Sequence, residues 1–422
     1  MKSLLLDLAP LRTSATFRRL WIGRTISMVG GQLTVVAVMY QVWELTRSPL
    51  WSGSVAIVQA VPMIVVGLWG GALVDRADRR RILLVTVTGQ LVCSAVLAAQ
   101  ALWLPSVAIV LPTVAVQSAF VAVGGPAFRT VLPRLLPPPQ LAAGLALTRI
   151  SGQLAMLAGP ALAGLLIGYA GLRLCYLIDA ASFATALYGI AGLPELAPRG
   201  EPGRGGVAGI LDGLRFVAAA PVVRGVILVD LAATVLAMPT SLFPLVNQQR
   251  FGGDPRTLGL FLAAIAVGGV AASAFAGSFT RRTRLGLVMV GGAVIWGVSL
   301  ALFGLVSAAW PALGFLVVAG AADTVSVVSR STVVQIAVPD ELRGRASSIE
   351  MIVGIAGPDL GNLRGGLVAQ WSSGAVAVVS GAVTSLVVLA LLAATSPGLT
   401  AFRSSTPPAG SALDPALGPG GS

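Results

Sequence analysis

The feature that most constrains this chain is a series of twelve long apolar segments separated by short polar turns. An α-helix rises 1.5 Å per residue, so about 20 apolar residues cross the ~30 Å hydrocarbon core of a bilayer. Only 10% of the 422 residues are charged and 56% are hydrophobic, which leaves too little polar surface for a soluble domain. We therefore predict an all-α membrane protein with twelve transmembrane helices. The segments lie near residues 20–43, 50–74, 82–104, 106–128, 141–168, 172–193, 222–246, 257–280, 285–308, 310–332, 344–370 and 374–395.

Positive charge is distributed unevenly between the two sides of these segments. Most of the 28 lysines and arginines lie in turns that share a side with both termini. Few lie in the opposite turns, namely Arg47, Arg173, Arg250 and Arg256. Because cytoplasmic turns are enriched in lysine and arginine, we predict a multi-pass protein of the cell (plasma or inner) membrane with both termini cytoplasmic. The net charge of +12 follows from this placement, so we expect membrane lipids and not nucleic acid as partners of the basic residues.

Three features of the composition restrict the available chemistry. Lys2 is the only lysine, so the chain has no G-x-x-x-x-G-K-[ST] loop to hold the phosphates of ATP. The sequence contains no histidine, the commonest metal ligand and near-neutral base. Cys93 and Cys175 lie inside apolar segments, where a buried thiol is the simplest interpretation. We expect a protein that is not an enzyme and that needs no cofactor or metal.

The two halves of the chain repeat one another in order. An Arg followed by Thr or Ser occurs at the end of segments 4 and 10. A short run ending in Leu then leads into segments 5 and 11, and Gly-Pro occurs inside those two segments. This ordered set predicts two pseudo-symmetric six-helix halves. The matching residues are Arg129-Thr130, Pro139-Gln140-Leu141 and Gly159-Pro160 in the first half, and Arg330-Ser331, Asp340-Glu341-Leu342 and Gly357-Pro358 in the second.

These patterns divide the chain into four parts. Residues 1–193 form the first half, and residues 221–395 form the second. Between them, residues 194–220 read as a cytoplasmic Pro/Gly-rich linker with an amphipathic helix on the inner leaflet, whose apolar face runs from Val207 to Val217. From residue 396 onward Pro, Gly and Ser dominate, so we predict a disordered cytoplasmic tail.

The turn between segments 2 and 3 reads GALVDRADRRR from Gly71 to Arg81. It resembles the loop between helices 2 and 3 of the major facilitator superfamily, whose pattern is G-x-L-A-D-R-x-G-R-R. Asp78 stands where that pattern has glycine, so the turn is either looser or capped by the acid. The resemblance implies the major facilitator fold and a latch that closes a cytoplasmic gate; the alternative is that the arginines only anchor the topology. The implied gate residues are Asp75, Arg76, Arg79, Arg80, Arg129 and Arg330.

Finer matches, from the N-terminus to about residue 395, resemble the bacterial enterobactin exporter family. They are Leu5-Leu6-Asp7-Leu8, Phe17-Arg18, Arg24-Thr25-Ile26-Ser27, Ile210-Leu211-Asp212-Gly213-Leu214-Arg215-Phe216, Ala220-Pro221 and Leu342-Arg343-Gly344-Arg345. This resemblance implies export of a siderophore or similar amphiphilic small molecule, driven by protons, by a protein that we expect to be a monomer. Broad-specificity multidrug:proton antiporters share much of this pattern and are the alternative.

Ionisable residues inside apolar segments are costly and are therefore candidates for function. Asp230 in segment 7 and Asp323 in segment 10 each lie about nine residues from the inner end of the segment, at similar depth. The resemblance places helices 1, 4, 7 and 10 around a central cavity, where two carboxyls can share a proton. The alternative is local ion pairing, for example of Asp323 with Arg330. These acids are our first candidates for proton coupling.

Segment 11 carries two further candidates for proton coupling, Glu350 and Asp359. They are nine residues apart and lie on opposite helix faces, so we do not expect them to act as a pair. Asp359 can instead meet Arg364. In the first half, Arg24 is the candidate ligand for an anionic or catechol-like cargo, although its side chain can also reach the inner headgroups. Asp179 reads as a hydrogen-bonding residue that packs segment 6 against its neighbours.

Overall fold

The structure, a computed structural model, describes residues 7–196, 215, 217–275, 278–279, 284–338 and 340–402, without the side chains of residues 68–76, 340–348, 351 and 397. Twelve long helices dominate these residues. They are α1 (Ala15–Thr46), α2 (Pro49–Arg76), α3 (Arg79–Trp103), α4 (Val107–Leu135), α5 (Pro138–Ala170), α6 (Leu172–Ala191), α7 (Pro221–Arg250), α8 (Pro255–Ala274), α9 (Leu285–Leu305), α10 (Ala309–Ala337), α11 (Asp340–Gln370) and α12 (Gly374–Thr395).

Helix α7 is interrupted near its end. Its first part stops at Ala237, a single 3₁₀ turn covers Thr240–Leu242, and a short helix continues from Phe243 to Arg250. Pro239 and Pro244 lack the backbone N–H that an unbroken helix would use, which accounts for the break.

Eleven helices in the described part of the chain are long and apolar enough to cross a membrane. Helix α11 is not among them, because Asp359, Asn362 and Arg364 lower its hydropathy. At 31 residues, α11 is nevertheless long enough to span the hydrocarbon core, at roughly 46 Å. The chain is therefore a multi-pass membrane protein, and the predicted count of twelve helices is approximately confirmed.

The two halves pack their helices in the same order. In the first half α1 contacts α5 and α6, and in the second half α7 contacts α11 and α12. Likewise α4 packs on α2 and α3, and α10 packs on α8 and α9. The halves meet where α5 packs against α8 and where α2 packs against α11. The pseudo-symmetric arrangement predicted from the repeat is confirmed.

Glycine pairs allow both of these inter-half crossings. We call the end of the bundle at which α1 ends and α2 begins the far end, and the crossings there the far seam. A Cβ atom on any of the four glycines would lie 2.5–2.8 Å from a backbone oxygen of the opposite helix. Only glycine therefore permits this approach. The pairs are Gly53 with Gly366, and Gly164 with Gly259.

Side chains also join the halves at the far end. The Oε1 atom of Gln248 on α7 accepts hydrogen bonds from Trp43 Nε1, at 2.7 Å, and from the Arg47 guanidinium. Ser48 Oγ donates to Gln370 Oε1 at 3.0 Å. The far end of the bundle is therefore closed by packing and by hydrogen bonds between the halves.

Two predicted segments, the linker and the C-terminal tail, lie only partly within the described residues. Most of the predicted linker and its amphipathic helix, residues 197–214 and 216, lie outside the described residues, as do residues 403–422 of the tail. Residues 396–402, at the start of the predicted disordered tail, are described by the structure. A short helix, Pro397–Thr400, places Leu399 (1% exposed) beside Gly225 and Gly286, whose missing side chains leave room for it.

Candidate functional site

Three helices of the second half bring a buried ion cluster together, formed by Asp230, Arg330 and Glu350. The Arg330 guanidinium on α10 pairs with Asp230 Oδ1 on α7, and its Nε donates to Glu350 Oε1 on α11 at 3.2 Å. Ser331 Oγ donates to the same Glu350 oxygen at 2.6 Å. The three charged side chains are 9–14% exposed. A buried ion cluster of this kind is stable only while its charged groups keep their hydrogen bonds.

The positions of these residues along their helices explain why they meet. Asp230 lies nine residues after the start of α7, Arg330 seven residues before the end of α10, and Glu350 ten residues after the start of α11. All three helix ends belong to the same end of the bundle, so each residue lies about 10–15 Å from that end. The cluster therefore forms at one depth.

Asp323 lies deeper than the sequence predicts. Helix α10 continues to Ala337, beyond the predicted segment end near residue 332, so Asp323 lies about 21 Å from the helix end. It still interacts electrostatically with Asp230 and Arg330 and lines the same cavity. Within the described residues no hydrogen bond reaches its carboxylate. The direct partner of Asp230 is thus Arg330, and the suggested local pair of Asp323 with Arg330 gives way to this arrangement.

A cavity of about 280 Å³ lies between the two halves, and we call it the central cavity. Asp230, Asp323 and Arg330 form its charged wall, whereas methionines and a tryptophan supply much of the rest. Methionine adapts its shape readily and suits surfaces that contact varied apolar groups. Residues from both halves line it, including Gln32, Val35, Met39, Met156, Met238, Leu262, Trp296 and Pro358.

A second cavity, of about 410 Å³, lies inside the first half, and we call it the N-half cavity. Among the described residues, Arg24 is the one charged residue that lines it, and four glutamines contribute amide groups. Gln32 and Val35 on α1 line both cavities, so the two spaces adjoin across this helix. The glutamines are Gln32, Gln59, Gln90 and Gln117.

The Arg24 guanidinium lies over the Phe128 ring, with 5.0 Å between Cζ and the ring centroid. Its Nε atom is buried and has no hydrogen-bond partner among the described residues. The structure thus directs this side chain into the N-half cavity and not toward the membrane surface. An unpaired guanidinium in such a space favours an anionic ligand.

Asp179 on α6 is fully buried and joins three helices. Its Oδ2 atom accepts hydrogen bonds from Thr34 Oγ1 on α1 and Ser94 Oγ on α3, both at 2.7 Å. Ser182 Oγ donates to the other carboxylate oxygen at 3.5 Å. The prediction that Asp179 acts as a packing hydrogen bonder is confirmed.

Asp359 and Arg364 do not meet. Arg364 Nη2 donates to the Ala377 carbonyl on α12 at 3.4 Å, and no ion pair between the two is present in the described part of α11. Five residues separate them, about 140° around the helix, so the suggested pairing is wrong. Glu350 and Asp359 point apart as predicted, since only Glu350 belongs to the ion cluster.

The turn between α2 and α3 is capped by its unusual acid. Asp78 Oδ1 accepts from the Arg81 N–H at 3.0 Å, and Oδ2 accepts from the Leu196 N–H at 2.8 Å. Burial disfavours its charged form, but these backbone hydrogen bonds outweigh that effect and lower the pKa of Asp78. Of the two possibilities, the acid-capped turn is confirmed. The side chains of Asp75 and Arg76 lie outside the described residues.

The other predicted gate residues separate into three environments. Arg79 is buried, and both it and Arg80 donate to backbone carbonyls of the first half, at 3.4 and 3.0 Å. Arg129 is exposed on α4. Arg330 belongs to the buried ion cluster, so its position groups it with the acids of the central cavity.

Sequence reasoning missed the glutamines of the N-half cavity. A usable signal was present, because each of the first four apolar segments carries a glutamine, and a polar amide in hydrocarbon needs a partner or a water-filled cavity. Three of the four glycines of the far seam, Gly53, Gly259 and Gly366, were missed as well, since 51 glycines give no reason to single them out.

The sequence is similar to that of a known family of membrane proteins. The sequence profile described as transmembrane secretion effector, within the major facilitator superfamily, matches residues 6–408. The enterobactin exporter EntS of Shigella boydii serotype 18 (strain CDC 3083-94 / BS512) is 28% identical over 418 residues, covering 98% of this chain and 99% of that protein. The enterobactin exporter EntS of Escherichia coli O1:K1 / APEC gives the same identity and coverage.

Solved structures share the fold at low sequence identity. The nucleoside transporter NupG has a TM-score of 0.69 and 13% identity, covering 91% of this chain and 98% of that chain. A bacterial homologue of the iron transporter ferroportin in an inward-facing state has a TM-score of 0.70 and 16% identity, covering 94% and 100%. Since the profile matches nearly the whole chain and the fold agrees, this protein belongs to the transmembrane secretion effector family of the major facilitator superfamily.

Proposed function

We propose that this protein is a proton-coupled secondary active exporter of a siderophore or similar amphiphilic small molecule. The observation that carries the proposal is the buried ion cluster of Asp230, Arg330 and Glu350 at the wall of the central cavity. In this proposal both termini and the end of the bundle opposite the far end face the cytoplasm, and the far end faces outward.

The charge balance of the cluster supports proton coupling. Asp230, Glu350 and Asp323 supply three carboxyls around one guanidinium, and Asp230 Oδ2 has no hydrogen-bond partner in the described part of the chain. Excess negative charge in a space of low polarity is costly, and a bound proton removes it. A proton on Asp230 would weaken its pair with Arg330 and so alter how α7 and α10 are held together.

The packing of the halves supports alternating access. The glycine crossings of the far seam and the hydrogen bonds to Gln248 close the outer side of the central cavity. In this inward-facing arrangement, cargo enters from the cytoplasm. Rocking of one half against the other would open the far seam and release the cargo outside.

The named relatives and the cavity lining support an amphiphilic cargo. Two curated relatives that cover nearly the whole chain are named enterobactin exporters. The central cavity combines methionine side chains with a charged wall, which suits a molecule that has both apolar and polar parts.

The proposal is tested in a strain that produces a catecholate siderophore and expresses this protein as its only exporter of that compound. We expect efflux to stop when a protonophore is added and to continue when ATP is depleted while the proton gradient is maintained. Efflux that follows ATP would contradict a secondary carrier. Siderophore retention together with resistance to many unrelated toxins would replace the proposed cargo class with that of a multidrug:proton antiporter.

A further inference from the structure

The N-half cavity contains a positive charge that no described acid neutralises. Arg24 forms neither an ion pair nor a hydrogen bond with a described residue, and no described residue that lines this cavity carries a carboxylate. A charge inside the membrane normally has a partner, because leaving it unpaired is costly. The missing partner is therefore best supplied by a ligand.

The glutamines of this cavity have hydrogen-bonding capacity to spare. Gln32 and Gln59 make no hydrogen bond with any other residue in the described ranges. Gln90 uses only its Nε2, which donates to the Thr86 carbonyl at 3.1 Å, so its Oε1 is available. Each free amide both donates and accepts, which suits a ligand rich in carboxylate, hydroxyl or amide groups.

A hydrogen-bond chain fixes one wall of the cavity. Gln117 Nε2 donates to Ser94 Oγ at 3.2 Å, and Ser94 in turn donates to the buried Asp179 carboxylate. Thr34, which also lines the cavity, donates to the same carboxylate oxygen. Asp179 is thus a positioning residue that holds polar groups from α1, α3 and α4 in place.

We propose that the N-half cavity binds the negatively charged, oxygen-rich end of an organic anion, with Arg24 as its counter-charge and the glutamine amides as its hydrogen-bonding partners. Because Gln32 and Val35 line both cavities, the apolar body of the same molecule can extend toward the methionines of the central cavity. In this arrangement the first half binds the charged end of the cargo, and the second half binds the protons. The role in export rests on the function proposed above, whereas binding itself does not.

Binding is measured by calorimetry on the full-length protein in nanodiscs of phosphatidylcholine, which contain no anionic lipid to compete. The probes are salicylate and salicylamide, which have the same shape and differ in charge. The wild-type protein should bind salicylate at least about tenfold more tightly, equivalent to about 1.4 kcal/mol. Arg24→Gln should remove this preference, and Arg24→Lys should restore part of it. Arg19→Gln is the matched control, because Arg19 is an exposed arginine of α1 that stacks on Tyr188.

Three outcomes would overturn the proposal: no binding of either probe, equal affinities in the wild-type protein, or a preference that survives in Arg24→Gln. Unchanged thermal unfolding of Arg24→Gln would show that its fold is intact, and the Arg24→Lys arm keeps the test valid if it is not. No proton gradient is present in this assay. If the wild-type protein prefers salicylate but shows no proton-driven efflux, the proposed function is wrong and the anion site remains. If it shows proton-driven efflux but no preference for salicylate, only the anion site is wrong.

Discussion

Adding one methyl group to the far seam should weaken the closure of the far end of the bundle. In Gly53→Ala, the new Cβ would lie 2.8 Å from the Asn362 carbonyl oxygen on α11 and 3.3 Å from the Gly366 Cα. Both neighbours are backbone atoms, so they cannot rotate away, and α2 must separate from α11 by several tenths of an ångström. Gly67→Ala on the same helix is the matched control, because its Cβ would meet nothing within 4 Å.

The expected size of the effect follows from the cost of overpacking. Inserting a methyl group into a tightly packed contact costs about 1–3 kcal/mol. Replacing glycine by alanine also favours the helix by about 1 kcal/mol, but that gain is common to Gly53→Ala and Gly67→Ala and cancels in the comparison. The ratio of proteins with a closed far end to proteins with an open far end should therefore fall by a factor of about 5–150. In Gly259→Ala, the new Cβ would lie 2.5 Å from the Pro160 carbonyl oxygen, at the crossing of α5 and α8. This second substitution should lower the ratio further.

Pulsed electron paramagnetic resonance measures this ratio directly. Spin labels are attached in Trp51→Cys and Trp371→Cys, since these residues lie at the far end on opposite halves and are 47% and 90% exposed. The native Cys93 and Cys175 are buried and should label poorly. The long-distance component should grow in the Gly53→Ala and Gly259→Ala double variant and stay unchanged in Gly67→Ala. Identical distance distributions in the wild-type protein, the double variant and Gly67→Ala would refute the assignment of these crossings as the contacts that close the far end.

Three further predictions concern stability, measured by thermal unfolding in detergent. Asp78→Ala should lose the cap of α3 and about 1 kcal/mol, whereas Asp78→Asn, whose amide oxygen can still accept one of the two hydrogen bonds, should lose less; an equal loss in both would contradict the capping role. The pKa of Asp78 is lower in the folded protein than its ordinary value of 3.8. Its contribution to the free energy of unfolding is therefore complete at neutral pH and is lost as the pH falls through the folded-state pKa. The difference in unfolding temperature between wild type and Asp78→Ala should shrink at acidic pH. Asp179→Leu should cost about 2–6 kcal/mol, because it leaves the buried hydroxyls of Thr34 and Ser94 without an acceptor, and an unchanged unfolding temperature would show that they find other partners. Leu399→Ala should cost about 2–5 kcal/mol, as expected for a fully buried leucine. An unchanged unfolding temperature would instead indicate that residues 396–402 belong to the disordered tail.

The helices were predictable because the bilayer imposes a length and a polarity that apolar segments reveal directly. Their ends were not, because a helix continues beyond the hydrocarbon into water, where hydropathy no longer marks it. Helix α10 is the instructive case, since its five additional residues, up to Ala337, move Asp323 away from the depth of Asp230. The error in one helix end changed the predicted partner of a charged residue.

The site was predictable only at the level of individual charges. Asp230, Arg330 and Glu350 are conspicuous because charge inside a membrane segment is rare. Which of them meet depends on helix rotation and depth, and these arise from contacts between helices that are distant in sequence. Gln59 and Gln90 carry no charge and so drew no attention, although the fold places them in one cavity with Arg24.

The most direct test of the account separates uphill transport from exchange in proteoliposomes that contain Asp230→Asn. Asparagine keeps the shape and hydrogen-bonding capacity of Asp230 but cannot carry a proton between the two states of the carrier. Asp254→Asn is the matched control, because Asp254 caps α8 at the far end, outside the lining of both cavities. The account predicts that Asp230→Asn exchanges labelled cargo across the membrane but no longer concentrates it in response to a pH gradient, whereas Asp254→Asn does both. Accumulation by Asp230→Asn at the wild-type level and with the wild-type pH profile would contradict the claim that this cluster couples protons to export.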